Sequence, residues 1–367
     1  MSSSGGGPGL RDNSSLRVRK LAPGDAAGWD AFVRAHADGS FFHLSGWADV
    51  IPHSFGHRAH YLLAERGTAD HGSRFSLPGA IVGVLPLVHL NSLLFGNALI
   101  SIPFGVYGGA LADGPEAERA LLDAACALAR ELSVDYLELR NRKPSAVVDW
   151  PTKTLYATFR KAIADNDEAN LKAIPRKHRA EVRKGLAAGL ELHVDTEPSC
   201  VYAAYSESMR NLGTPVFSQS YFRRLREVFG QDCDLLSITH DGKVVSGVLS
   251  FFFRDECLPF YGGGTSAARG LRANDYMYWQ VMRRCVARGV RIFDFGRSKR
   301  GTGSFDYKEY WGFEPEDMHY QYYLVRARDL PNVSPNNPKY RLFIRAWQRL
   351  PLGVSRTLGP LIARNLG

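Results

Sequence analysis

A chain of 367 residues is long enough for two domains of ordinary size and too short for a large multidomain assembly. Hydrophobic residues make up 45% and charged residues 23%, which excludes a disordered or collagen-like protein. The 46 Lys and Arg residues exceed the 37 Asp and Glu residues, and the net charge of +9 favours an anionic partner: a phosphate-bearing substrate, nucleic acid or a membrane surface. The five cysteines form no C-x-x-C pair, which indicates neither a disulfide framework nor a zinc site and favours a reducing cytoplasm.

The elements of the first half begin after a Ser- and Gly-rich N-terminus. Residues 1–15 contain no apolar core, so they are predicted to be a disordered tail and not a signal peptide. Strand and helix patterns then alternate, with strands expected at 16–21 and 58–66 and helices at 23–36 and 45–53. Residues 75–112 contain no charged residue, but Pro, Asn and Gly divide them into pieces of strand length. This pattern predicts consecutive buried strands and not a membrane span.

The clearest feature of the organisation is an approximate internal duplication. In the first copy an apolar run ends in Tyr107-Gly108-Gly109, and a helix and a strand over 134–139 follow. In the second copy an apolar run ends in Tyr261-Gly262-Gly263, and a helix and a strand over 290–295 follow. A repeat at about one domain length indicates a tandem domain pair. The predicted fold is α/β with mixed sheets, with a first domain over residues 16–160 and a second over residues 161–330.

A charged helix is predicted over residues 168–188, and it carries a row of arginines. Arg176, Arg179 and Arg183 stand at i, i+3 and i+7, which places them on one helix face. Three guanidinium groups in a row suit a diphosphate better than a single carboxylate. The alternative interpretation is a solvated helix face. A third interpretation makes this helix the binding surface of a non-catalytic nucleic-acid-binding module.

A glycine-rich turn lies in the second copy of the duplication. It includes Tyr261, Gly262 and Gly263, and it leads to a helix that begins near Asn274. Glycines let a ligand approach the backbone closely, and the start of the helix presents free N–H groups to an anion. The pyrophosphate of an acyl-CoA donor is one such anion. Glycine runs of this kind are also found in plain turns.

An aromatic-rich stretch follows the last strand of the duplication. Residues 293–297 end in Arg297, and residues 305–313 contain Tyr307 and Lys308 among other aromatic and acidic residues. A single lysine in this setting predicts a pocket that holds a reactive cation. The alternative is a run of half-buried strand residues.

Taken together, these segments resemble the FemAB-like proteins, a family of acyltransferases with two tandem GNAT-type domains. The resemblance spans roughly residues 16–330. It rests on six segments: Tyr261–Thr265, Tyr278–Trp279, Asp294–Gly296, Tyr307–Phe313, the N-terminal run Phe42–Trp47, and the basic helix around Arg179 and Arg183. It implies two GNAT-like domains with a substrate cleft between them.

The resemblance also implies an activity and roles for individual residues. Better-known members transfer an amino acid from aminoacyl-tRNA to an amine of a peptidoglycan precursor, and others accompany exopolysaccharide systems. Lys308 then corresponds to the family lysine that stabilises negative charge on the reacting carbonyl, and Arg179 and Arg183 lie where the substrate's diphosphate is held. The candidate substrate-binding residues are Arg176, Arg179, Arg183, Trp47, Tyr261, Gly262, Gly263, Asn274, Arg297 and Tyr307.

Amide formation sets further requirements. A base must remove a proton from the attacking ammonium, and Asp275, Asp306 and Glu309 are the candidates near Lys308. The acyl donor is aminoacyl-tRNA or acyl-CoA, and no tightly bound cofactor or metal is expected. The acceptor is a phosphate-bearing precursor of the cell envelope, which places the protein in the cytoplasm.

The last segment, residues 331–367, is predicted to be basic and amphipathic. Residues 339–367 contain six Lys and Arg residues and no acidic residue. Arg341, Arg345 and Arg349 recur every four residues with apolar residues between them. Such a segment suits peripheral contact with an anionic inner membrane. The alternative is a terminal helix packed against the second domain with its arginines in water.

Overall fold

The structure of the protein is a computed structural model that describes residues 16–67, 79–92, 96–331 and 338–367. The predicted disordered tail over residues 1–15 lies outside the described residues. The elements of the first half, in chain order, are β1 (Leu16–Lys20), α1 (Ala26–Ala35), α2 (Trp47–Phe55), β2 (Arg58–Ala59), β3 (Leu62–Arg66), β4 (Ala80–Leu85), β5 (Leu87–Ser92), β6 (Gly96–Ser101), β7 (Leu111–Ala112), α3 (Pro115–Glu131), β8 (Tyr136–Asn141) and β9 (Thr152–Lys153).

The predicted elements of this half agree with the structure. The strands and helices expected before residue 67 correspond to β1, α1, α2, β2 and β3. The uncharged stretch contains β4, β5, β6 and β7, as expected from the breaks in its apolar pattern. Among the described residues, none of the helices has the length and apolar character needed to cross a membrane.

The second half continues with β10 (Tyr156–Ala162), α4 (Asp167–Ala173), α5 (Arg176–Leu186), β11 (Glu191–Asp195), α6 (Ser199–Leu212), α7 (Gln219–Phe229), β12 (Cys233–His240), β13 (Lys243–Phe253), β14 (Glu256–Gly264), α8 (Ala268–Leu271), α9 (Ala273–Ala287), β15 (Ile292–Asp294), β16 (Ser298–Lys299), α10 (Gly303–Tyr310), β17 (Pro315–Asp317), β18 (His319–Leu324), α11 (Pro338–Gln348) and α12 (Leu352–Ala363).

Two predictions in this half need correction. The charged helix over 168–188 is divided into α4 and α5, because Pro175 disfavours helical geometry at Ile174. The aromatic stretch around Lys308 is not a strand, since Gly303–Tyr310 forms the helix α10. Its aromatic residues therefore face different directions around a helix.

The strands of the described residues form three sheets. One has the order β1-β3-β4-β7, and another has the order β2-β5-β6-β8-β18-β9. The largest has the order β11-β12-β13-β14-β15-β10-β16, with β17 paired to β10. The pairs β6–β8 and β14–β15 are parallel and the other described pairs are antiparallel, so the two larger sheets are mixed, as predicted, and the sheet β1-β3-β4-β7 is antiparallel.

Strand exchange joins the halves, because β18 of the second half enters a sheet of the first half. β18 comes late in the chain but pairs with β8 of the first half, and β10 pairs with β15, β16 and β17 of the second half. The predicted domain boundary at residues 160 and 161 falls inside β10 (Tyr156–Ala162). The hydrogen-bonded sheets are therefore not separated at that boundary, and the division into domains at this point stays a prediction.

The duplication is visible as two parallel strand pairs that separate. β6 and β8 are paired from Ala98 to Ile100 and then diverge, whereas β14 and β15 are paired only at Glu256 and Cys257. The Tyr107-Gly108-Gly109 turn follows β6, and the corresponding glycines of the second half end β14.

A buried polar network joins the halves at this point. The hydroxyl of Tyr107 donates to Asp294 Oδ1 at 3.1 Å, and the backbone N–H of Gly296 donates to the same oxygen at 2.7 Å. Arg160 Nε donates to Asp294 Oδ2 at 3.1 Å. Burial raises the pKa of Asp294, and the charge of Arg160 opposes that rise. The network fixes the end of β15 and the start of the segment that carries Arg297.

Candidate active site

A cavity of about 810 Å³ lies between the two halves. Its floor is one face of the sheet that contains β6, β8 and β18, and its opposite wall is the segment that carries Arg297 and Arg300. Residues 365–367 close one side. We call this cavity the interdomain cleft. A volume of this size suits a substrate as large as a nucleotide or a drug-sized molecule.

Charged groups in the floor of the interdomain cleft form a buried pair. Arg140 is 3% exposed and Glu138 is 7% exposed, and Arg140 Nε donates to Glu138 Oε1 at 2.8 Å. Arg140 Nη1 also donates to the carbonyl oxygen of Gly105 at 3.0 Å. Its guanidinium carbon lies 5.5 Å from the centre of the Tyr320 ring. The arginine is therefore held in one position by three partners of different kinds.

The walls of the cleft add cations next to aromatic rings. Arg297 Nη1 donates to the hydroxyl of Tyr320 at 2.9 Å, and its guanidinium carbon lies 4.5 Å from the centre of the Tyr156 ring. Lys153 Nζ lies 5.0 Å from the centre of the Tyr322 ring, and burial lowers its pKa. The charged residues that line the cleft are Glu138, Arg140, Lys153, Arg297 and Arg300. Four cations against one carboxylate favour an anionic ligand.

Lys308 lies directly behind the wall of this cleft. Its ammonium is on α10, and Nζ donates to the carbonyl oxygens of Gly296 and Arg297 at 2.8 Å and 3.1 Å. The residue is 9% exposed, and Nζ lies 5.3 Å from the centre of the Phe159 ring. Burial lowers the pKa of Lys308 to about 7, against the attraction of Asp294. Lys308 is not among the residues that line the cleft, but it is bonded to Arg297, which is.

Three of the predicted segments meet on the other side of α10. The hydroxyl of Tyr307 donates to Asp275 Oδ1 at 2.8 Å, and Asp275 lies in the first turn of α9. His178 of α5 places Nε2 at 3.2 Å from the same oxygen, and its ring packs 5.0 Å from that of Trp311. His178 Nε2 is buried and is not aligned for a hydrogen bond. Of the three candidate bases, Asp275 is thus the one enclosed by other site residues.

The other two candidate bases are in a different environment. Asp306 and Glu309 are exposed on the outer face of α10 and do not line the interdomain cleft. That one of these three carboxylates acts as the general base stays a prediction.

The arginine row of α5 does not act as one unit. Arg179 Nε donates to the carbonyl oxygen of Ile174 at 3.2 Å, and Nη2 donates to those of Ile174 and Lys172 at 2.9 Å and 2.7 Å. It therefore satisfies the last carbonyls of α4, as a basic side chain at a helix end commonly does. Arg176 and Arg183 are exposed and remain available to a ligand.

The glycine turn packs closely against α6 and α9. A Cβ at Gly262 would lie 2.8 Å from the Tyr278 hydroxyl, and one at Gly263 would lie 2.6 Å from Ser208 Cβ. Asn274 Oδ1 accepts a hydrogen bond from Ser246 Oγ at 2.8 Å. Close packing thus accounts for these glycines without a ligand. Two predicted substrate-binding residues are core residues instead: Trp47 is 0% exposed, and the hydroxyl of Tyr261 is bonded to that of Tyr221 at 2.9 Å.

Two histidines of the first half, His53 and His57, have partners within the chain. His53 pairs with Asp49 at 2.5 Å, and His57 Nε2 lies 2.6 Å from the carbonyl oxygen of Arg364. Within the part of the chain that the structure describes, no three His, Cys, Asp or Glu side chains are grouped so that they could hold a metal ion.

Several residues of the site escaped the sequence analysis. His178 was part of the basic helix, and its signal was its position in the buried stripe with Val182. Glu138 and Arg140 stand on alternate positions of an otherwise apolar strand, a pattern that points charges at one sheet face. Lys153 and Tyr320 gave no signal, because only the strand exchange brings them into the cleft.

Comparisons with known proteins bear on this arrangement. Residues 174–309 match the acetyltransferase (GNAT) domain family. FemX, whose crystal structure is known, is 16% identical with a TM-score of 0.61 over 89% of this chain and 100% of that chain. A tandem GNAT protein from the clavulanic acid biosynthesis pathway is 14% identical with a TM-score of 0.53 over 86% of this chain and 100% of that chain.

A further similar structure is the C-terminal domain of a putative lysylphosphatidylglycerol synthetase from Agrobacterium fabrum. It is 12% identical with a TM-score of 0.50 over 81% of this chain and 91% of that chain. None of the curated proteins matches the sequence. The predicted resemblance to FemAB-like proteins and the tandem GNAT-like fold are confirmed at the level of the fold, and the domain match confirms the prediction of an acyltransferase.

Proposed function

We propose that the protein is an N-acyltransferase that forms an amide on an amine of a phosphate-bearing cell-envelope precursor. The observation that carries the proposal is the interdomain cleft, with its four cations and its tyrosine rings, placed directly against the Lys308 segment. Phosphate groups suit the guanidinium groups, and a base or sugar suits the rings. The proposed location is the cytoplasmic side of the inner membrane. Peptidoglycan and exopolysaccharide precursors are both acceptors of this class.

The donor is aminoacyl-tRNA or acyl-CoA, and contacts near α9 favour the first. The backbone N–H of Ser266, in the glycine turn, already donates to Glu207 Oε1 at 2.8 Å. Asp275 adds a second carboxylate in the first turn of α9. The Glu207 carboxylate thus occupies a backbone N–H that could otherwise hold a pyrophosphate.

The nucleic-acid-binding alternative gains no support from the structure. It requires an open row of arginines on α5, and Arg179 is engaged with the carbonyls of Lys172 and Ile174. The cations near Lys308 instead converge on a cavity, which is the arrangement expected of an enzyme.

The direct test is acyl transfer by the purified protein. Charged tRNA or acyl-CoA is supplied with a panel of peptidoglycan and exopolysaccharide precursors, and transfer of labelled acyl group to an amine is followed. We expect transfer to at least one diphosphate-bearing acceptor. Absence of transfer from either donor to every acceptor would contradict the proposal.

Replacement of Arg297 tests whether the acceptor binds in the interdomain cleft. Arg297→Ala removes a guanidinium that faces the cleft and is expected to raise KM for the acceptor about tenfold or more, as for the loss of one charge-assisted hydrogen bond. Arg291→Ala is the matched control, because Arg291 is exposed and lies outside the cleft. Equal KM values for the two variants would show that the acceptor is bound elsewhere.

The arginines of α5 allow a second comparison. Arg183→Ala is expected to raise KM for a diphosphate-bearing substrate and to leave stability unchanged, because Arg183 is exposed. Arg179→Ala should instead lower the free energy of unfolding by about 1–3 kcal/mol, because it leaves the carbonyls at the end of α4 without their donor. Steady-state kinetics measure KM and denaturant unfolding measures the free energy of unfolding for both variants. An unchanged KM for the Arg183 variant would remove it from the substrate site.

A further inference from the structure

We propose that α11 and α12 form a docking face for an anionic lipid bilayer and that this face holds the interdomain cleft at the membrane surface. The inference goes beyond the proposed function, because it concerns where the protein binds and not which reaction it performs. Its starting point is the distribution of exposed apolar side chains. Eleven large hydrophobic residues of the described chain are exposed, and six of them lie within residues 342–366.

The exposed apolar residues lie on one face of each helix. On α12, Val354, Leu358 and Leu361 are 40%, 43% and 58% exposed, and they stand at i, i+4 and i+7. This spacing places them together on one side of the helix. On α11, Leu342 is 74% exposed. Single exposed leucines are ordinary, but a row of them indicates an interaction surface.

Packing of the opposite face fixes this orientation. Ser355, Gly359 and Ala363 of α12 are buried, and a Cβ at Gly359 would lie 2.8 Å from the carbonyl oxygen of Val216. Arg356 Nε donates to Ser206 Oγ of α6 at 2.9 Å. α12 therefore cannot turn to bury its leucines without losing these contacts.

α11 is held in the same way. Its Trp347 is 4% exposed, and the amide of Gln348 donates to the carbonyl oxygen of Asn211 at 3.1 Å. The tryptophan thus faces the protein and not the solvent. The prediction of a packed helix and the prediction of a membrane-facing segment are compatible, because different faces are involved.

Positive charge accompanies the exposed leucines. Arg345 is exposed and stands at i+3 from Leu342, so it lies on the same side of α11, and the exposed Arg349 follows directly after the helix. Residues 339–367 contain no acidic residue. A basic face with leucines at its centre matches a bilayer that carries anionic headgroups above a hydrocarbon interior.

The positive charge of this face also favours one binding partner over another. A second copy of the chain would place the same arginines opposite each other across a two-fold axis, and like charges at an interface oppose association. An anionic bilayer would contact the arginines through its headgroups and the leucines through its hydrocarbon interior. We therefore assign the face to a lipid surface.

The docking face lies next to the interdomain cleft, which suggests how membrane binding would serve the reaction. Residues 365–367 follow α12 directly and line the interdomain cleft. A protein lying on α11 and α12 would hold one side of the cleft close to the headgroups. An acceptor whose diphosphate is attached to a membrane lipid could then enter without leaving the bilayer.

The test is co-sedimentation of the full chain with vesicles of phosphatidylcholine, with and without phosphatidylglycerol. The wild type is expected to bind the vesicles that contain phosphatidylglycerol and to dissociate as salt increases. The double variants Leu358→Asp/Leu361→Asp and Arg345→Glu/Arg349→Glu should each lower the partition coefficient at least about tenfold. The control Leu192→Asp/Val194→Asp changes two exposed apolar residues on β11 and should bind as the wild type does.

Several results would overturn the proposal. One is equal binding by Leu358→Asp/Leu361→Asp and the control, and another is no binding by the wild type to any vesicle. A third is wild-type self-association that the leucine variant abolishes without any vesicle binding, which would assign the face to a second copy. Far-UV spectra establish that each variant is folded. Because vesicle binding needs no substrate, its failure would leave the proposed acyltransferase reaction untouched.

Discussion

Replacing Lys308 by alanine is expected to lower kcat at least about 100-fold, as for the loss of one donor to a developing oxyanion. The structure gives this expectation a more specific form. A lysine ammonium has three N–H donors, and two of them bond to the carbonyl oxygens of Gly296 and Arg297. We propose that the third donates to negative charge on the reacting carbonyl. The same two bonds hold the backbone of Gly296 and Arg297 at the wall of the cleft, so the lysine also fixes the position of a residue that is proposed to bind the substrate.

The fold should survive this substitution. Lys308 is 9% exposed, and burial of its charge is unfavourable, as its lowered pKa shows. Alanine removes that cost together with the two hydrogen bonds, and these changes oppose each other. The variant should therefore show nearly the unfolding midpoint of the wild type.

Lys161 provides the matched control. It is a half-buried lysine of the same domain, and its Nζ donates to the carbonyl oxygen of Gly312 at 3.1 Å. Lys161→Ala also removes a lysine-to-backbone bond but should keep wild-type kcat. If both variants lose activity equally, the effect is structural and the role in charge stabilisation is wrong.

The pH dependence supplies an independent check on Lys308. Its pKa of about 7 means that the ammonium predominates below pH 7 and is lost as pH rises past that value. If the charge is required, kcat should fall above about pH 7 in the wild type. Stability should change in the opposite direction. The unfolded chain keeps this lysine protonated up to its ordinary pKa near 10.5, so it binds more protons between pH 7 and 10.5, and the free energy of unfolding rises with pH there.

Kinetics and denaturant unfolding over pH 6–10 separate the two effects. A decline in kcat that accompanies rising stability would identify the loss of a functional charge. A rise in kcat through the same range would show that the neutral amine is the active form, and Lys308 would then be a base.

The fold was predictable because it is repeated. Tyr107-Gly108-Gly109 follows β6 and Tyr261-Gly262-Gly263 ends β14, and both strands diverge from a parallel neighbour before a helix begins. Hydrophobic periodicity reports such local order directly. It therefore identified most strands and helices of the two halves without any knowledge of how the halves meet.

The substrate cleft was not predictable, because it depends on contacts between distant segments. Arg140 and Tyr320 are neighbours only because β18 leaves its own half to pair with β8. The sequence of β18 does not indicate that it pairs with β8, since an antiparallel strand fits several sheet edges equally well. Arg179 was misleading for a different reason. Its position on the helix predicted contact with a ligand, but its guanidinium group donates to carbonyl oxygens at the end of α4.

The largest effect on stability is expected at Arg140. Arg140→Ala removes the partner of Glu138, whose carboxylate is 7% exposed, and an unpaired buried charge costs about 3–5 kcal/mol. The guanidinium also donates to the carbonyl oxygen of Gly105, next to Ile102 and Phe104, which have φ values of +50° and +66°. Few residues other than glycine adopt such values, so this turn depends on outside contacts to hold it. Denaturant unfolding of the variant should show a lower midpoint with an unchanged slope.

The double variant Glu138→Leu/Arg140→Met separates the cost of an unpaired charge from the value of the pair. Apolar side chains of similar volume commonly replace a buried ion pair with little loss of stability, so this variant should regain most of what Arg140→Ala loses. It should still bind the acceptor poorly, because the floor of the cleft has lost its cation. Recovery of stability without recovery of KM would mean that the pair is kept for binding and not for folding. If the double variant binds the acceptor as well as the wild type does, Arg140 supports only the turn at residues 102–105, and the anionic group of the acceptor must be held by Lys153, Arg297 and Arg300 alone.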